Sequence, residues 1–216
     1  MSAAYDLYVI TDEHLSRGLS HAEIARRAVA GGADVIQLRD KRMGGEELLM
    51  CALEIRAITK AAGVLFIVND RLDIAIASKA DGVHLGQDDL PAAIARPLLP
   101  PGFILGVSAG TLEEAVRGEK DGADYIGLGP VCRTGSKDDA GPICGFGMIA
   151  EVKKHVSIPV IAIGGIGPSN AKAAIEAGAD GLAVISAVVS QDDVTGAAKK
   201  LKAVIEEAKR QKVYQG

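Results

Sequence analysis

Asp70 and Asp89 are the residues of this chain best suited to a hard divalent cation. Mg2+ takes one or two carboxylates, keeps several waters and completes its shell with phosphate oxygens. Arg39, Lys41 and Lys137 are cations that could clamp a polyphosphate. Gly164, Gly165, Ser186 and the backbone near Thr134 offer N–H and hydroxyl donors, a neutral way to hold a phosphate. These residues describe two anion-binding regions, one metal-assisted and strongly charged, the other built mostly from backbone donors.

Each element alone has a plainer reading. Asp70 beside Arg71 makes a loop ion pair, and Asp88-Asp89-Leu90-Pro91 can cap a helix, since Asp is a good N-cap. Gly164-Gly165 suits many α/β turns. Thr134-Gly135-Ser136-Lys137 lacks the GxxxxGK[ST] spacing of a P-loop, and Lys137 before Asp138 and Asp139 can be a solvated charge cluster. His84 reads as a hydrogen-bonded structural histidine rather than a catalytic one. His14, His21 and His155 read as surface residues.

The functional reading gains weight from the elements that carry these residues. Short apolar runs at 7–11, 35–39, 64–69, 82–85, 103–107, 125–128, 160–163 and 182–185 alternate with helix-like stretches at 20–30, 46–62, 112–121, 148–155, 170–177 and 195–211. Strand–helix alternation throughout argues a parallel α/β sheet. Eight units over residues 1–216 predict one compact (β/α)8 barrel domain, with a doubly wound open sheet as the competitor. A weak repeat favours the barrel: Ala33-Asp34, Ala80-Asp81, Ala123-Asp124 and Ala179-Asp180 open strands two, four, six and eight. An every-second-strand echo is what alternating barrel layers would show. On that frame Gln37, Arg39, Lys41, Asn69, Asp70, Asp89, Ser108, Thr134, Lys137, Gly164, Gly165 and Ser186 all fall at carboxyl ends of strands. In a barrel those ends form one mouth, where barrel active sites sit. The loop at 129–147 is long for a strand-to-helix connection, which suggests function, and its stretch 131–147 is the candidate lid.

Composition narrows the classes. A net charge of −4 gives no basic footprint for a phosphate backbone, and 3% aromatic residues leave few stacking platforms, so a nucleic-acid partner is not expected. No uninterrupted apolar run approaches membrane-spanning length, and residues 1–12 lack the pattern of a signal peptide. Cys51, Cys132 and Cys144 are odd in number and match no zinc spacing, so reduced thiols and a cytoplasmic location are expected, with Cys51 as core filler. The scarcity of aromatics predicts a barrel filled by small branched side chains.

The ordered set of segments resembles the thiamine-phosphate synthase family nearly end to end. It comprises Tyr8-Val9-Ile10-Thr11-Asp12, Gln37-Leu38-Arg39-Asp40-Lys41, Asn69-Asp70-Arg71, the run from Gly82 to Pro91, Gly106-Val107-Ser108, the run from Asp124 to Pro130, Thr134-Gly135-Ser136-Lys137 and Ile163-Gly164-Gly165-Ile166. The resemblance implies a TIM barrel that couples 4-amino-2-methyl-5-(diphosphooxymethyl)pyrimidine with hydroxyethylthiazole phosphate and releases pyrophosphate. By that resemblance Gln37, Leu38, Arg39, Asp40, Lys41, Asn69, Ser108 and Lys137 meet the pyrimidine diphosphate, and Asp70 and Asp89 hold Mg2+. Thr134, Gly135, Ser136, Gly165, Ile185 and Ser186 bind the thiazole phosphate. Lys137, Arg39, Lys41 and Ser108 are the implied catalytic set, acting in a dissociative, pyrimidine-cation-like reaction.

Departures from the family pattern are few: Cys132 where Phe is common, Arg133 where Pro is common, Ser136 where Thr is common, and Gly110 where His often stands. The thiazole tautomerases share the fold and use that His as a base, so its absence here favours coupling. A catalytically dead barrel that senses thiamine phosphates, and a generic phosphate-binding barrel enzyme, are the remaining alternatives. Exposed helix faces could carry a contact in a homo-oligomer.

Overall fold

Each of the eight predicted runs forms a strand in a computed structural model, which describes residues 5–136 and 141–213. They are β1 (Leu7–Ile10), β2 (Val35–Leu38), β3 (Leu65–Asn69), β4 (Gly82–Leu85), β5 (Ile104–Ala109), β6 (Tyr125–Leu128), β7 (Val160–Ile163) and β8 (Gly181–Val184). Every strand pairs in parallel with the next, and β8 returns to β1 with Leu182 beside Leu7, so the sheet is a closed barrel rather than an open one. Helices α1 (His21–Ala30), α2 (Gly45–Ala62), α3 (Leu72–Ala77), α4 (Ala92–Ala95), α5 (Leu112–Lys120), α6 (Gly145–Lys153), α7 (Ala171–Glu176), α8 (Ser186–Val189) and α9 (Val194–Val213) follow in chain order. None is long and apolar enough to cross a membrane, among the described residues.

The differences from expectation have simple causes. Helices α3, α4 and α8 have four to six residues, too few for a 3.6-residue period to emerge from sequence. Strand β5 runs two residues past the expected 107, which takes Ser108 into the ladder beside Gly127. Helix starts follow their caps: the Ser20 side chain accepts from Glu23 N–H, and Thr111 accepts from Glu114 N–H.

The fourfold aspartate echo has a physical basis. Each aspartate stands at the start of an even strand, and its carboxylate accepts the N–H of the first or second residue of the preceding odd strand. The pairs are Asp34 with Leu7 at 2.9 Å, Asp81 with Phe66 at 2.8 Å, Asp124 with Leu105 at 2.7 Å and Asp180 with Val160 at 2.7 Å. The aspartate's own N–H donates back to the carbonyl of the same residue in all four cases. A cation from the outer layer completes each clamp: Lys202, Arg56, Arg96 and Lys153 in turn. The amino-terminal rim is thereby fastened at four points, which fixes the register of odd strands on even ones.

The barrel interior corrects one expectation. Branched residues such as Val35, Ile67 and Ile161 do face inward, but so do Tyr8, Tyr125 and the His84 ring, which packs on Tyr125 with ring centroids 5.5 Å apart. Glycine makes the room. A Cβ on Gly106 would collide with the Tyr125 ring, and one on Gly127 would stand 2.9 Å from His84 Cε1. Tyr8 and Tyr125 thus occupy the axis, where short strands leave space for large rings only if a facing strand carries none.

The clamps predict unequal costs. Asp34 is 20% exposed and Asp124 is 47% exposed. Asp34→Ala strips a charged hydrogen bond from a buried N–H and leaves Lys202 with less compensation, so urea unfolding should show a loss of about 2–3 kcal/mol. Asp124→Ala should cost about 1 kcal/mol, because water can replace much of that carboxylate.

Candidate active site

A buried hydrogen-bonded chain climbs the barrel axis to the mouth. Gln37 Nε2 donates to the Tyr8 hydroxyl at 2.7 Å, the Tyr8 and Tyr125 hydroxyls are 2.8 Å apart, and Tyr125 meets His84 Nδ1 at 3.0 Å. His84 Nε2 lies 2.9 Å from Ser108 Oγ. Because Gln37 donates into the chain, each hydroxyl passes its proton onward: Tyr8 donates to Tyr125, and Tyr125 to Nδ1. His84 then donates from Nε2 to Ser108. Burial raises the Tyr8 and Tyr125 phenols above their ordinary range, so both stay protonated at neutral pH. The two ends of the chain thus differ. Gln37 Oε1 is a buried acceptor with no partner among the described residues, and the Ser108 hydroxyl has its proton left for a group at the mouth. An orphaned buried acceptor costs stability unless something fills it.

Beside this chain lies the charged half of the mouth. Asp70 follows β3 in the left-handed region at φ 61°, a conformation Asp tolerates better than most residues, and its N–H donates to the His84 carbonyl at 2.9 Å. That turn brings its carboxylate against Asp89, which also accepts Gly86 N–H at 2.7 Å. Burial and the Asp89 carboxylate push Asp70 up to about 6, against the pull of Lys41 and Arg39. Lys41 Nζ is 3.7 Å from Asp70, and Arg39 is 3.6 Å from Asp12. Two carboxylates that crowd each other this closely suit a divalent cation, which removes the repulsion. No cluster of three or more His, Cys, Asp and Glu forms among the described residues, so a cation held here must draw its other ligands from water or substrate.

The opposite half is a neutral cradle. Thr134, Ser136, Gly164, Gly165, Ile185 and Ser186 line one cavity of about 40 Å³. Ser136 Oγ donates to Ser186 Oγ at 3.0 Å, and Thr134 Oγ1 accepts Ser136 N–H at 3.2 Å. Gly165 has φ 67°, and a Cβ there would stand 2.7 Å from Cys132 Cβ, so the loop after β6 can lie on the β7 turn only because this residue is glycine. Asn170 bonds the Gly165 carbonyl at 2.9 Å and fixes that turn.

Most of the expected site residues therefore meet at one mouth. Gln37, Asn69 and Ser108 are on inward-facing positions of β2, β3 and β5. Two expected substrate contacts behave differently. Leu38 turns away from the axis and is 1% exposed in the core, so only its backbone borders the mouth. The Asp40 carboxylate is engaged by the N–H groups of Arg42 and Met43, both at 2.7 Å, and by His21. Gly135 stands in open space, and Lys137 lies outside the described residues. His21, expected at the surface, is fully buried, because both ring nitrogens have polar partners inside. His84 has the structural bonding expected of it, and Cys51 packs against the core, its thiol pushed up to about 12 chiefly by burial. Reading the sequence missed Tyr8, Tyr125, Asp12 and His21. The two tyrosines were available from strand alternation, which puts them on the face of Gln37 and Ser108.

Comparison with known proteins gives consistent results. The sequence profile described as thiamine monophosphate synthase matches residues 7–188. The thiamine-phosphate synthase of Methanocella arvoryzae is 66% identical over 201 residues, covering 93% of this chain and 95% of that protein. That of Methanoculleus marisnigri is 58% identical over 95% of this chain and 97% of its own length. Among solved structures, thiamine phosphate pyrophosphorylase from Pyrococcus furiosus superposes with a TM-score of 0.89 at 41% identity, covering 95% of this chain and 98% of that one.

The carboxylate pair yields a prediction of its own. Asp89→Asn removes the negative charge that faces Asp70, so the Asp70 carboxyl should titrate below the present value of about 6, by carbon-13 NMR of the side chain without divalent ions. An unmoved titration would mean that Asp89 does not crowd it.

Proposed function

The chain belongs to the thiamine monophosphate synthase family, and on that premise we propose how its barrel mouth joins the two halves of thiamine phosphate. The substrates are 4-amino-2-methyl-5-(diphosphooxymethyl)pyrimidine and hydroxyethylthiazole phosphate. The bond between the pyrimidine methylene carbon and the diphosphate oxygen breaks, with the electron pair leaving on pyrophosphate. A bond from the same carbon to the thiazole nitrogen forms. No proton has to leave the nucleophile, so no activated serine or cysteine is needed.

The observation that carries this reading is the pair of ends on the axial chain. Gln37 Oε1 is an unsatisfied acceptor, and Ser108 has a hydroxyl proton to give. A 4-aminopyrimidine has the complementary edge, an exocyclic amino group that donates beside a ring nitrogen that accepts. Seating that edge on Gln37 and Ser108 satisfies the buried acceptor and leaves the diphosphate toward Arg39, Lys41 and the aspartate pair. Asn69, at the end of β3, adds an amide on the same side, and the backbone of Leu38 and Asp40 borders it.

Asp70 and Asp89 would hold Mg2+, which when bound supplies positive charge to the departing pyrophosphate. Arg39 and Lys41 add charge to the same oxygens, and Lys137 is assigned there as well, from the family pattern. The thiazole phosphate is assigned to the cradle of Thr134, Gly135, Ser136, Gly165, Ile185 and Ser186, whose hydroxyls and backbone N–H groups hold a dianion without a counter-charge. The loop carrying these residues lies over the β7 turn and would keep water from the electron-poor carbon.

Activity is measured by mixing protein, Mg2+ and both substrates and oxidising the product to fluorescent thiochrome. Signal should require Mg2+ and vanish with EDTA, and a protein that gives none with all components present would refute the coupling reading. Lys137→Ala should lower kcat at least about 100-fold, the scale of losing one charge from a developing anion. Tyr125→Phe should raise KM for the pyrimidine diphosphate about tenfold and spare that of the thiazole phosphate, because it cuts the chain that orders the Ser108 proton.

A further inference from the structure

The imidazole of His21 ties together the two loops that meet at Arg39. It is fully buried at the start of α1, with Nδ1 2.6 Å from the Thr11 hydroxyl after β1 and Nε2 3.2 Å from Asp40 after β2. Its backbone N–H donates to Glu13 at 2.9 Å, which brings in the rest of the first loop. Asp12, next to Thr11, faces Arg39 at 3.6 Å, and Asp40 lies between Arg39 and Lys41 in the chain. Arg39 therefore faces Asp12, the neighbour of one partner of the ring, and both cations flank Asp40, the other partner, in the chain.

The shape of the second loop rests on Asp40. Its carboxylate is 8% exposed and accepts the N–H groups of Arg42 and Met43, which bends the chain just past Lys41. Those donors together with His21 hold Asp40 below the usual carboxylate range, despite burial, which works to raise it. An ionised carboxylate only accepts, so Nε2 of His21 carries the proton it shares with Asp40. Outside this node a groove of about 570 Å³ opens between α1 and α2, lined among others by Glu13, Met43, Cys51 and Leu53, while the ring itself stays fully buried.

We propose that His21 is a positioning residue for the diphosphate clamp, fixing Arg39 and Lys41 through Asp40 and Thr11 without touching substrate. This rests on the assignment of Arg39 and Lys41 to the pyrimidine diphosphate. A residue that only stabilised the fold would affect both substrates alike, whereas His21 serves one half of the mouth.

The test is KM for each substrate separately, on variants shown to be folded by circular dichroism and urea unfolding. His21→Phe fills the volume but cannot bond, and should raise KM for the pyrimidine diphosphate about tenfold while KM for the thiazole phosphate stays within about twofold. His21→Gln keeps a donor toward Asp40 and should restore the first KM to within about threefold of the parent. Should His21→Phe not fold, Thr11→Val carries the same test, with a rise of about threefold confined to the pyrimidine diphosphate. Unmoved values, or a parallel rise in both, would overturn the proposal. Arg39→Ala is the reference: if it raises KM for the pyrimidine diphosphate and His21→Phe does not, the positioning role alone fails. If Arg39→Ala leaves that KM unchanged, the assignment of the clamp fails and the role of His21 with it.

Discussion

Four aspartates at the amino-terminal rim set the terms for everything at the other end of the barrel. A closed parallel barrel works only if each strand holds its register, because a shift of one residue turns every inward side chain outward. Asp34, Asp81, Asp124 and Asp180 each bind one residue of the neighbouring strand twice, by carboxylate and by backbone N–H, and take a helix cation as well. Since the strands are only four to six residues long, a register fixed at their starts also fixes which side chains emerge at their ends. The convergence of Gln37, Asn69 and Ser108 on one mouth follows from that.

Within the fixed register, glycine decides what the interior can hold. Gly106 and Gly127 flank Tyr125 and His84 in the inner layers, and without a Cβ at each the rings could not sit on the axis. The rings bring polar atoms into the buried interior, where each needs a hydrogen-bond partner. The answer is a chain in which each donor finds an acceptor, from Gln37 through two phenols and an imidazole to Ser108. Such a chain has a direction, so it imposes a fixed pattern of acceptor and donor at its ends. On the proposed reading, fold stability and substrate recognition draw on the same hydrogen bonds, with the buried acceptor Gln37 Oε1 at one end of the chain.

The strands and the mouth were legible in the sequence because short continuous apolar runs and polar residues at their ends are local signals. Asp70, Asp89, Gly165 and Ser186 could be placed from strand order alone. The fourfold Ala-Asp echo was visible too, although its cause, a cross-strand clamp with a distant helix cation, was not, since Lys202 lies 168 residues from Asp34. His21 was misjudged for a related reason. It opens an amphipathic helix, where a polar residue is ordinarily solvated, and only the tertiary approach of Thr11 and Asp40 gives it partners that permit burial. Strand alternation could place Tyr8 and Tyr125 on the inner face but could not join them, because 117 residues separate the two hydroxyls that meet. In each case the missing information was contact between strands or loops far apart in sequence, which composition and periodicity do not encode.

The unequal charge of the two halves of the mouth follows from what each phosphate group must do. Pyrophosphate gains charge as its bond to carbon breaks, so groups that strengthen their hold in the transition state accelerate the reaction. Cations and a metal held by carboxylates would do this, and the residues proposed for it, Arg39, Lys41, Asp70 and Asp89, sit on the loops after β2, β3 and β4. The thiazole phosphate carries the same charge before and after, so strong cations there would tighten substrate and transition state equally and slow product release. Hydroxyls and backbone donors after β6, β7 and β8, the cradle proposed for it, would orient it without that cost. A net charge of −4 for the whole chain is compatible with this arrangement because the cations needed are few and local, while the acidic excess lies outside the helices, in loops and at the rim.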